Sequence, residues 1–301
     1  MEYVDLQVNG YGGVDFNADD LDAGKLHRAC EALARDGVST ILATIITERI
    51  DLMCARIARL ATLRDRDPLA RRLIAGLHIE GPFISDKPGY VGAHPPDATI
   101  PASIDQMQRL LDAGGGAIKL VTLAPERDAG FRTISFLAKH GVRVSAGHTD
   151  ASLDELRGAI DAGLTLFTHL GNGCPLQMHR HDNIVQRALG LRDRLHFTFI
   201  ADGAHVPFFA LRNYIDLVGI DRAIIVSDAI APAGVGPGRY TLGRWDLVIG
   251  EDLVARAPDG SHLVGSAVPM RQSAMNLKQH LGFSSDQIER LVCSNAASFL
   301  R

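Results

Sequence analysis

Eight short apolar runs recur along the chain and alternate with segments of helical periodicity. The runs are YVDLQV, STILATII, LIAGLHI, AIKLVTL, VRVSAG, LTLFTH, HFTFIA and AIIVSD. Strands that are buried on both faces show this near-continuous hydrophobicity, whereas the segments between the runs repeat their apolar residues every three or four positions. A series of eight such βα units predicts an α/β fold, a closed (β/α)8 barrel of the TIM type with its helices outside.

An open, doubly wound sheet is the alternative architecture, but no GxGxxG motif follows the first run. No linker rich in Pro, Gly or Ser and no internal repeat divides the 301 residues, so a single barrel domain over residues 1–301 is expected. Residues 234–262 follow the eighth run and combine Gly-rich turns with alternating apolar residues. This pattern predicts a β-hairpin inserted over the barrel mouth.

The composition narrows the class of function. The chain is 46% hydrophobic and 22% charged with a formal net charge of -4, a balance that favours a globular protein and disfavours nucleic acid or an anionic membrane as a partner. The first ten residues, MEYVDLQVNG, lack the pattern of a signal peptide, and no window approaches the roughly 20 apolar residues of a membrane span. The four cysteines form no CxxC pair, which fits a reducing compartment, so a cytoplasmic location is expected.

Polar residues occur where four of the runs end. Glu80 and His148 directly follow the third and fifth runs, and His169 and Asp228 end the sixth and eighth. A single histidine there is more often structural, and a single aspartate more often caps a helix. In a barrel, however, these strand ends meet at one mouth, and one carboxylate with two imidazoles is a ligand set of catalytic zinc. The residues therefore predict a metal site, with Asp228 beside it as a proton-transferring carboxylate.

Nine ordered fragments give a more specific indication. They are DLQVNGYGGVDFN, GLHIEGPF, GAHPP, VTLAPE, VSAGHTDAS, THLGNGCP, IADGAHV, VSDAIAPAG and DGSHLVGSA. In this order they resemble the N-acetylglucosamine-6-phosphate deacetylases of the amidohydrolase superfamily, over nearly the whole chain. The resemblance implies a metal-bearing barrel that hydrolyses the acetamide of an N-acetylated amino sugar. The expected substrate is N-acetylglucosamine 6-phosphate or its galactosamine analogue.

The resemblance also implies roles for individual residues. Glu80, His148 and His169 would hold one divalent metal ion, with Zn²⁺ expected and Fe²⁺, Co²⁺ or Mn²⁺ as alternatives. Asp228 would be the catalytic acid/base, and His205 of DGAHV would contact the substrate carbonyl. The alternative role of His205 is a structural hydrogen bond under the hairpin. The substrate-binding positions would be Ala93, His94, Asn172, Gly173, Arg180, His205, Leu263 and Ser266.

Arg180 would bind the sugar phosphate, because its planar guanidinium group can meet two phosphate oxygens at once. His179 and His181 flank it as further contacts or as part of a solvated loop. In the family this arginine can cross between subunits, so a homodimer is expected. The glycines at 171 and 173 would let the backbone approach the ligand.

Four features depart from the family pattern. Gln7 and Asn9 stand where many members of the superfamily have a His-x-His pair, so a single metal is expected, and hydrogen bonding inside the barrel is the alternative role of both amides. The small β-sandwich of typical members is not expected here. Cys174 replaces a methionine, and the loop LQMHRHDN around the arginine is unusual.

Three other functions stay open at this point. A related amidohydrolase could act on another N-acyl or cyclic amide substrate, as the unusual loop suggests. A lyase or aldolase would need a Schiff-base lysine, for which Lys119 is the candidate. A sugar-binding barrel without catalysis is the third, but it would have no need of Asp228 beside a metal.

Overall fold

The computed structural model describes residues 1–242, 244–257 and 263–301. Eight parallel strands, one for each predicted run, form a single sheet in which every strand pairs with the next along the chain. The strands are β1 Tyr3–Val8, β2 Val38–Ile46, β3 Ile74–Glu80, β4 Ile118–Leu123, β5 Arg143–Ala146, β6 Leu164–Phe167, β7 His196–Ile200 and β8 Ala223–Val226. The predicted (β/α)8 barrel is confirmed.

The first and last strands close the barrel against each other. Val8 forms a parallel bridge with Ala229, just beyond β8. The buried carboxylate of Asp5 accepts hydrogen bonds from the backbone N–H and the hydroxyl of Ser227. Burial raises the pKa of Asp5 to about 6 although these hydrogen bonds lower it. The contact between β1 and β8 is therefore polar and local, unlike the ladders that join the other strands.

Helices connect the strands and cover the outside of the sheet. They are α1 Ala23–Arg35, α2 Ile50–Arg66, α3 Pro68–Leu73, α4 Ile104–Gly114, α5 Arg132–Lys139, α6 Leu153–Ala162, α7 Ile184–Leu189, α8 Phe208–Val218, α9 Met270–Gln279, α10 Ser285–Glu289 and α11 Asn295–Phe299. A capping box at Ser152 starts α6, and Gly163 ends it with a φ of 120°. In the part of the chain that the structure describes, none of these helices is long and apolar enough to cross a membrane.

Side chains on the strands form two sets, one in the outer core and one in the barrel interior. Alternate residues such as Ile41, Ala43 and Ile45 face the helices, because successive side chains on a strand point to opposite faces. The others fill part of the interior with hydrocarbon, closed by Ala296 and Phe299 of α11. The interior set on the strands is Val4, Leu6, Leu42, Leu120, Leu166, Ile200, Ile224 and Val226.

A small antiparallel sheet follows β8. Strand β9, Gly238–Leu242, pairs with β10, Trp245–Ile249, which confirms the predicted hairpin, and a short third strand, β11, Ala255–Arg256, was not anticipated. Residues 258–262 of the predicted insertion lie outside the described residues.

This sheet is held to the barrel in two ways. Its buried side chains, including Leu242 and Leu247, share a cluster with Ile46 and Ile230 of the barrel. At the turn between β9 and β10, Arg244 donates from Nε to Glu48 at 2.6 Å and also pairs with Asp97.

The interior hydrocarbon generates a prediction about stability. Leu42 is fully buried, whereas Leu217 on α8 is 48% exposed. Leu42→Ala should lower the free energy of unfolding by about 2–5 kcal/mol, because it removes buried methyl groups and leaves a cavity. The matched control Leu217→Ala should cost less than about 1 kcal/mol. Urea unfolding followed by circular dichroism measures both, and equal losses would contradict the assignment of Leu42 to the interior core.

Candidate active site

A cavity of about 580 Å³ opens at the carboxyl ends of the barrel strands. Glu80 is the last residue of β3, and the other predicted residues lie in the loops that follow β5, β6, β7 and β8. The structure brings the five predicted metal-binding and catalytic residues together in its wall: Glu80, His148, His169, His205 and Asp228.

Glu80, His148 and His169 converge on one point. His148 Nε2 lies 3.1 Å from His169 Nε2, and Glu80 Oε1 lies 3.4 and 3.2 Å from these two atoms. All three residues are buried. Ligands held about 2.1 Å from a tetrahedral ion are themselves about 3.4 Å apart, so the donor atoms are spaced as a divalent metal requires. The residues present therefore fit a metal ion.

Neighbouring groups orient these three side chains. The Nδ1 of His148 donates to the carbonyl oxygen of Tyr90 at 2.9 Å, so its Nε2 is left as the unprotonated ligand atom. Gln7 donates from Nε2 to Glu80 Oε1 at 3.0 Å. The side chain of Gln7 therefore supports the carboxylate by hydrogen bonding, and Tyr90 was not anticipated because its backbone, not its side chain, makes the contact.

The backbone is left-handed at three of these residues. The φ angles are 51° at His148, 33° at His169 and 52° at Asp228, values that residues other than Gly rarely adopt. Each strand ends just before this turn, which redirects the side chain into the cavity. Strained backbone of this kind concentrates at functional sites.

The Gly-Asn-Gly turn after His169 has a steric reason. Gly173 has a φ of 61°, and a Cβ atom there would lie 3.0 Å from Nδ1 of His148. Gly171 has a φ of 95°. The turn therefore needs glycine at both positions, and at Gly173 the missing side chain leaves room for the imidazole ring.

The two carboxylates of the cavity have different electrostatic environments. Burial would raise the pKa of Glu80, but the adjacent imidazole rings of His148 and His169 outweigh burial and hold the pKa well below its usual range. Burial, followed by repulsion from Glu80, raises the pKa of Asp228 to about 6. Asn9 donates from Nδ2 to Oδ1 of Asp228 at 2.8 Å. One carboxylate is thus held as an anion and the other is poised to exchange a proton.

His205 is held by a residue that the sequence reasoning did not single out. Its Nδ1 lies 2.6 Å from Oδ2 of Asp202, and Ser266 donates to the same oxygen at 3.0 Å. Burial would lower the pKa of His205, but the bond to Asp202 and its charge outweigh burial and raise it. For Asp202 the bond to His205 outweighs burial and lowers the pKa to about 2. The two side chains therefore form a buried ion pair at the cavity wall.

The remaining predicted substrate residues divide into two groups. The cavity is lined by Ala93, His94, Asn172, Gly173 and Leu263. Arg180 and Ser266 do not line it: Arg180 is exposed on its loop, and Ser266 lies behind the cavity wall against Asp202. Lys119 is exposed and borders a different cavity together with Arg143 and Arg301, so it is not placed to form a Schiff base in this site.

The converging donors generate a prediction about metal binding. Glu80→Gln and His169→Ala should each reduce bound Zn²⁺ from about one equivalent to a small fraction, because each removes one of three protein ligands. The control His140→Ala changes an exposed histidine whose ring contacts the carbonyl oxygen of Phe136, and it should leave the metal content unchanged. Inductively coupled plasma mass spectrometry after dialysis measures the content. Full occupancy in both ligand variants would rule out this site.

Comparison with known proteins places the chain in a family. No protein-family model matches it. It is 30% identical to the N-acetylglucosamine-6-phosphate deacetylase of Bacillus subtilis (strain 168), over 99% of this chain and 74% of that protein. It is 29% identical to an N-acetylgalactosamine-6-phosphate deacetylase of Escherichia coli O157:H7, over 99% and 77%. A structure of the Mycobacterium smegmatis N-acetyl-D-glucosamine-6-phosphate deacetylase in complex with N-acetyl-D-glucosamine-6-phosphate matches with a TM-score of 0.88 and 33% identity, over 99% of this chain and 77% of that one. The chain therefore belongs to the N-acetylglucosamine-6-phosphate deacetylase family.

Proposed function

We propose that this protein is a metal-dependent hydrolase that removes the acetyl group from an N-acetylated hexosamine 6-phosphate. The observation that carries the proposal is the meeting of Glu80, His148 and His169 with Asp228 in one cavity of a chain that belongs to this family. The relatives are deacetylases of the glucosamine and galactosamine 6-phosphates, so both sugars are candidate substrates.

Glu80, His148 and His169 would hold the metal. When bound, a divalent cation supplies positive charge that polarises the acetamide carbonyl and activates water. Zn²⁺ suits this set of carboxylate and imidazole donors, and Fe²⁺, Co²⁺ and Mn²⁺ are the alternatives.

Asp228 would act as the general base and then as the general acid. Asn9 occupies its Oδ1, which leaves Oδ2 for proton exchange. In the first step Asp228 takes a proton from the attacking water, and in the second it gives this proton to the departing amine. Burial beside Glu80 keeps the protonated and ionised forms close in free energy, as a group that must both accept and donate requires.

His205 would stabilise the oxygen of the acetamide as negative charge develops on it. Because Nδ1 is engaged by Asp202, the group available to the substrate is Nε2. An imidazolium held by a buried carboxylate is a preorganised donor, and such donors contribute strongly to the stabilisation of oxyanions. Asp202 is thus a positioning residue, and Ser266 supports it.

The rest of the cavity would position the sugar. Asn172 and Gly173 lie on the turn beside the metal-binding histidines, and Ala93, His94 and Leu263 line the surrounding wall. Binding energy from these remote contacts would hold the amide against the catalytic groups. Arg180 does not line the cavity of its own chain, so the homodimer implied by the resemblance is the arrangement in which it would meet substrate. The proposed chemistry does not depend on it.

A second candidate is a related amidohydrolase with a different N-acyl substrate. Cys174 and Leu176 line the cavity within the loop that departs from the family pattern. These apolar groups could select another substituent near the amide. A panel that includes N-acetylated and other N-acylated hexosamines, with and without a 6-phosphate, separates the two candidates by the rate at which each substrate releases its free amine.

The role of Asp228 generates a prediction about turnover. With zinc-reconstituted protein, Asp228→Asn should lower kcat for N-acetylglucosamine 6-phosphate by about 10²–10⁴-fold, because the amide cannot accept the proton of water. The metal content should stay at the wild-type level, since Asp228 is not one of the three ligands. Release of glucosamine 6-phosphate measures turnover. Wild-type turnover in the variant would rule out the acid/base role, and absence of deacetylation by the wild type on the whole panel would rule out the function.

The ion pair of His205 and Asp202 generates a prediction about pH dependence. Asp202 raises the pKa of His205 and so extends the protonated imidazolium to higher pH. Asp202→Asn removes that charge, and the alkaline limb of the kcat/KM profile should move to lower pH. Imidazole NMR titration of His205 in wild type and variant provides a second measurement that does not depend on turnover. An unchanged alkaline limb together with an unchanged His205 titration would contradict this role of Asp202.

A further inference from the structure

The cavity contains one guanidinium group that the family resemblance does not assign. Among the residues that the structure describes, Arg256 is the only lysine or arginine that lines the cavity. Arg180, the arginine that the resemblance implies for the phosphate, lies exposed outside this lining. A substrate that carries a dianionic phosphate needs a positive partner, and within one chain Arg256 is placed to supply it.

The backbone places Arg256 at the wall of the cavity. It lies on β11 between Ala255 and Ala257, which are buried at 1% and 4% exposure and fix the strand against the small sheet. On one side it pairs with Val248 of β10, and on the other it forms an antiparallel bridge with Leu263, which itself lines the cavity. Paired residues on antiparallel strands lie about 5 Å apart at Cα. The side chain of Arg256 therefore starts next to a cavity residue.

The small sheet is anchored to the barrel at both of its sides. Arg244, at the turn between β9 and β10, pairs with Glu48 after β2 and with Asp97. The opposite side of the sheet packs Ala255 and Ala257 with Val264 and Ile230 in one apolar cluster. These contacts fix the backbone of Arg256 relative to the barrel.

The contacts that Arg256 makes with described residues involve only Nη1 of its guanidinium group. Nη1 lies 2.9 Å from Oδ2 of Asp252 and 3.4 Å from the carbonyl oxygen of Val254. The side chains of Arg256 and Asp252 are 47% and 51% exposed, and exposed ion pairs of this kind contribute little to stability. A phosphate could replace these exposed contacts and accept hydrogen bonds from two donors of the guanidinium fork.

The negatively and positively charged side chains of the cavity also lie in different places. Glu80 is buried and Asp228 is partly buried at the strand ends, whereas Arg256 is exposed on the inserted sheet. The guanidinium group would attract a phosphate, whereas the proposed metal ion balances the charge of the two carboxylates. The acetamide would accordingly lie toward the strand ends and the phosphate toward the small sheet.

We propose that Arg256 binds the phosphate of the substrate from within the same chain and so determines the preference for phosphorylated over neutral amino sugars. This inference rests on the proposed function and adds a residue that selects the substrate. Arg239 on β9 is a matched control, because it is an exposed arginine of the same small sheet that does not line the cavity.

The test compares Arg256→Ala, Arg256→Lys, Arg239→Ala and Arg180→Ala in zinc-reconstituted protein. The measured quantity is the ratio of kcat/KM for N-acetylglucosamine 6-phosphate to that for N-acetylglucosamine. Arg256→Ala should lower this ratio by about tenfold to a hundredfold, through a higher KM for the phosphorylated sugar, because hydrogen bonds to a charged group are lost. Arg256→Lys should retain part of the preference, since it keeps the charge but not the fork, and Arg239→Ala should retain all of it.

Binding of inorganic phosphate, measured by isothermal titration calorimetry, separates this inference from the proposed function. The affinity of the protein for inorganic phosphate should fall in Arg256→Ala and not in Arg239→Ala, whether or not the protein deacetylates any sugar of the panel. The inference is overturned if Arg256→Ala keeps both the wild-type ratio and the wild-type phosphate affinity, or if it lowers kcat/KM equally for both sugars. A loss of preference in Arg180→Ala alone would assign the phosphate to that residue instead.

Discussion

The arrangement of the active site depends on one buried carboxylate. Glu80 is almost inaccessible to solvent at the end of β3, and a charge in such a place is costly unless other groups compensate it. His148, His169 and Gln7 all approach its Oε1. These partners come from three other strands or the loops that follow them, so the compensation of this one charge ties together distant parts of the chain. A divalent cation at the same point would complete that compensation.

The barrel separates its stabilising and its chemical parts along its axis. Hydrocarbon from the strands, closed by α11, fills part of the interior. The cavity at the carboxyl ends instead contains carboxylates, imidazoles and three residues with left-handed backbone. Strain at His148, His169 and Asp228 is tolerated because the packed strands hold each of them in place. Stability is thus supplied away from the residues for which we propose a role in the chemistry.

The sequence predicted those features that are local or repeated. Continuous apolar runs identified all eight strands, and the polar residues that follow them, Glu80, His148, His169 and Asp228, line one cavity as the pattern predicts. Asp202 and Tyr90 could not be found in this way. Asp202 contacts the ring of His205, and Tyr90 contacts His148 only through its carbonyl oxygen. The third strand of the small sheet also escaped prediction, since Ala255–Arg256 is too short to show a period.

The amides of Gln7 and Asn9 have a consequence for metal stoichiometry. They hydrogen-bond to Glu80 and Asp228, and neither amide carries a charge. Two carboxylates therefore face the space in which a metal would lie, while the His205 and Asp202 pair is neutral in itself. A single dication would balance the charge of these two carboxylates, whereas a second would leave an excess of two positive charges. Charge balance, and not only the choice of ligand atoms, would thus favour the single metal ion that the sequence predicts.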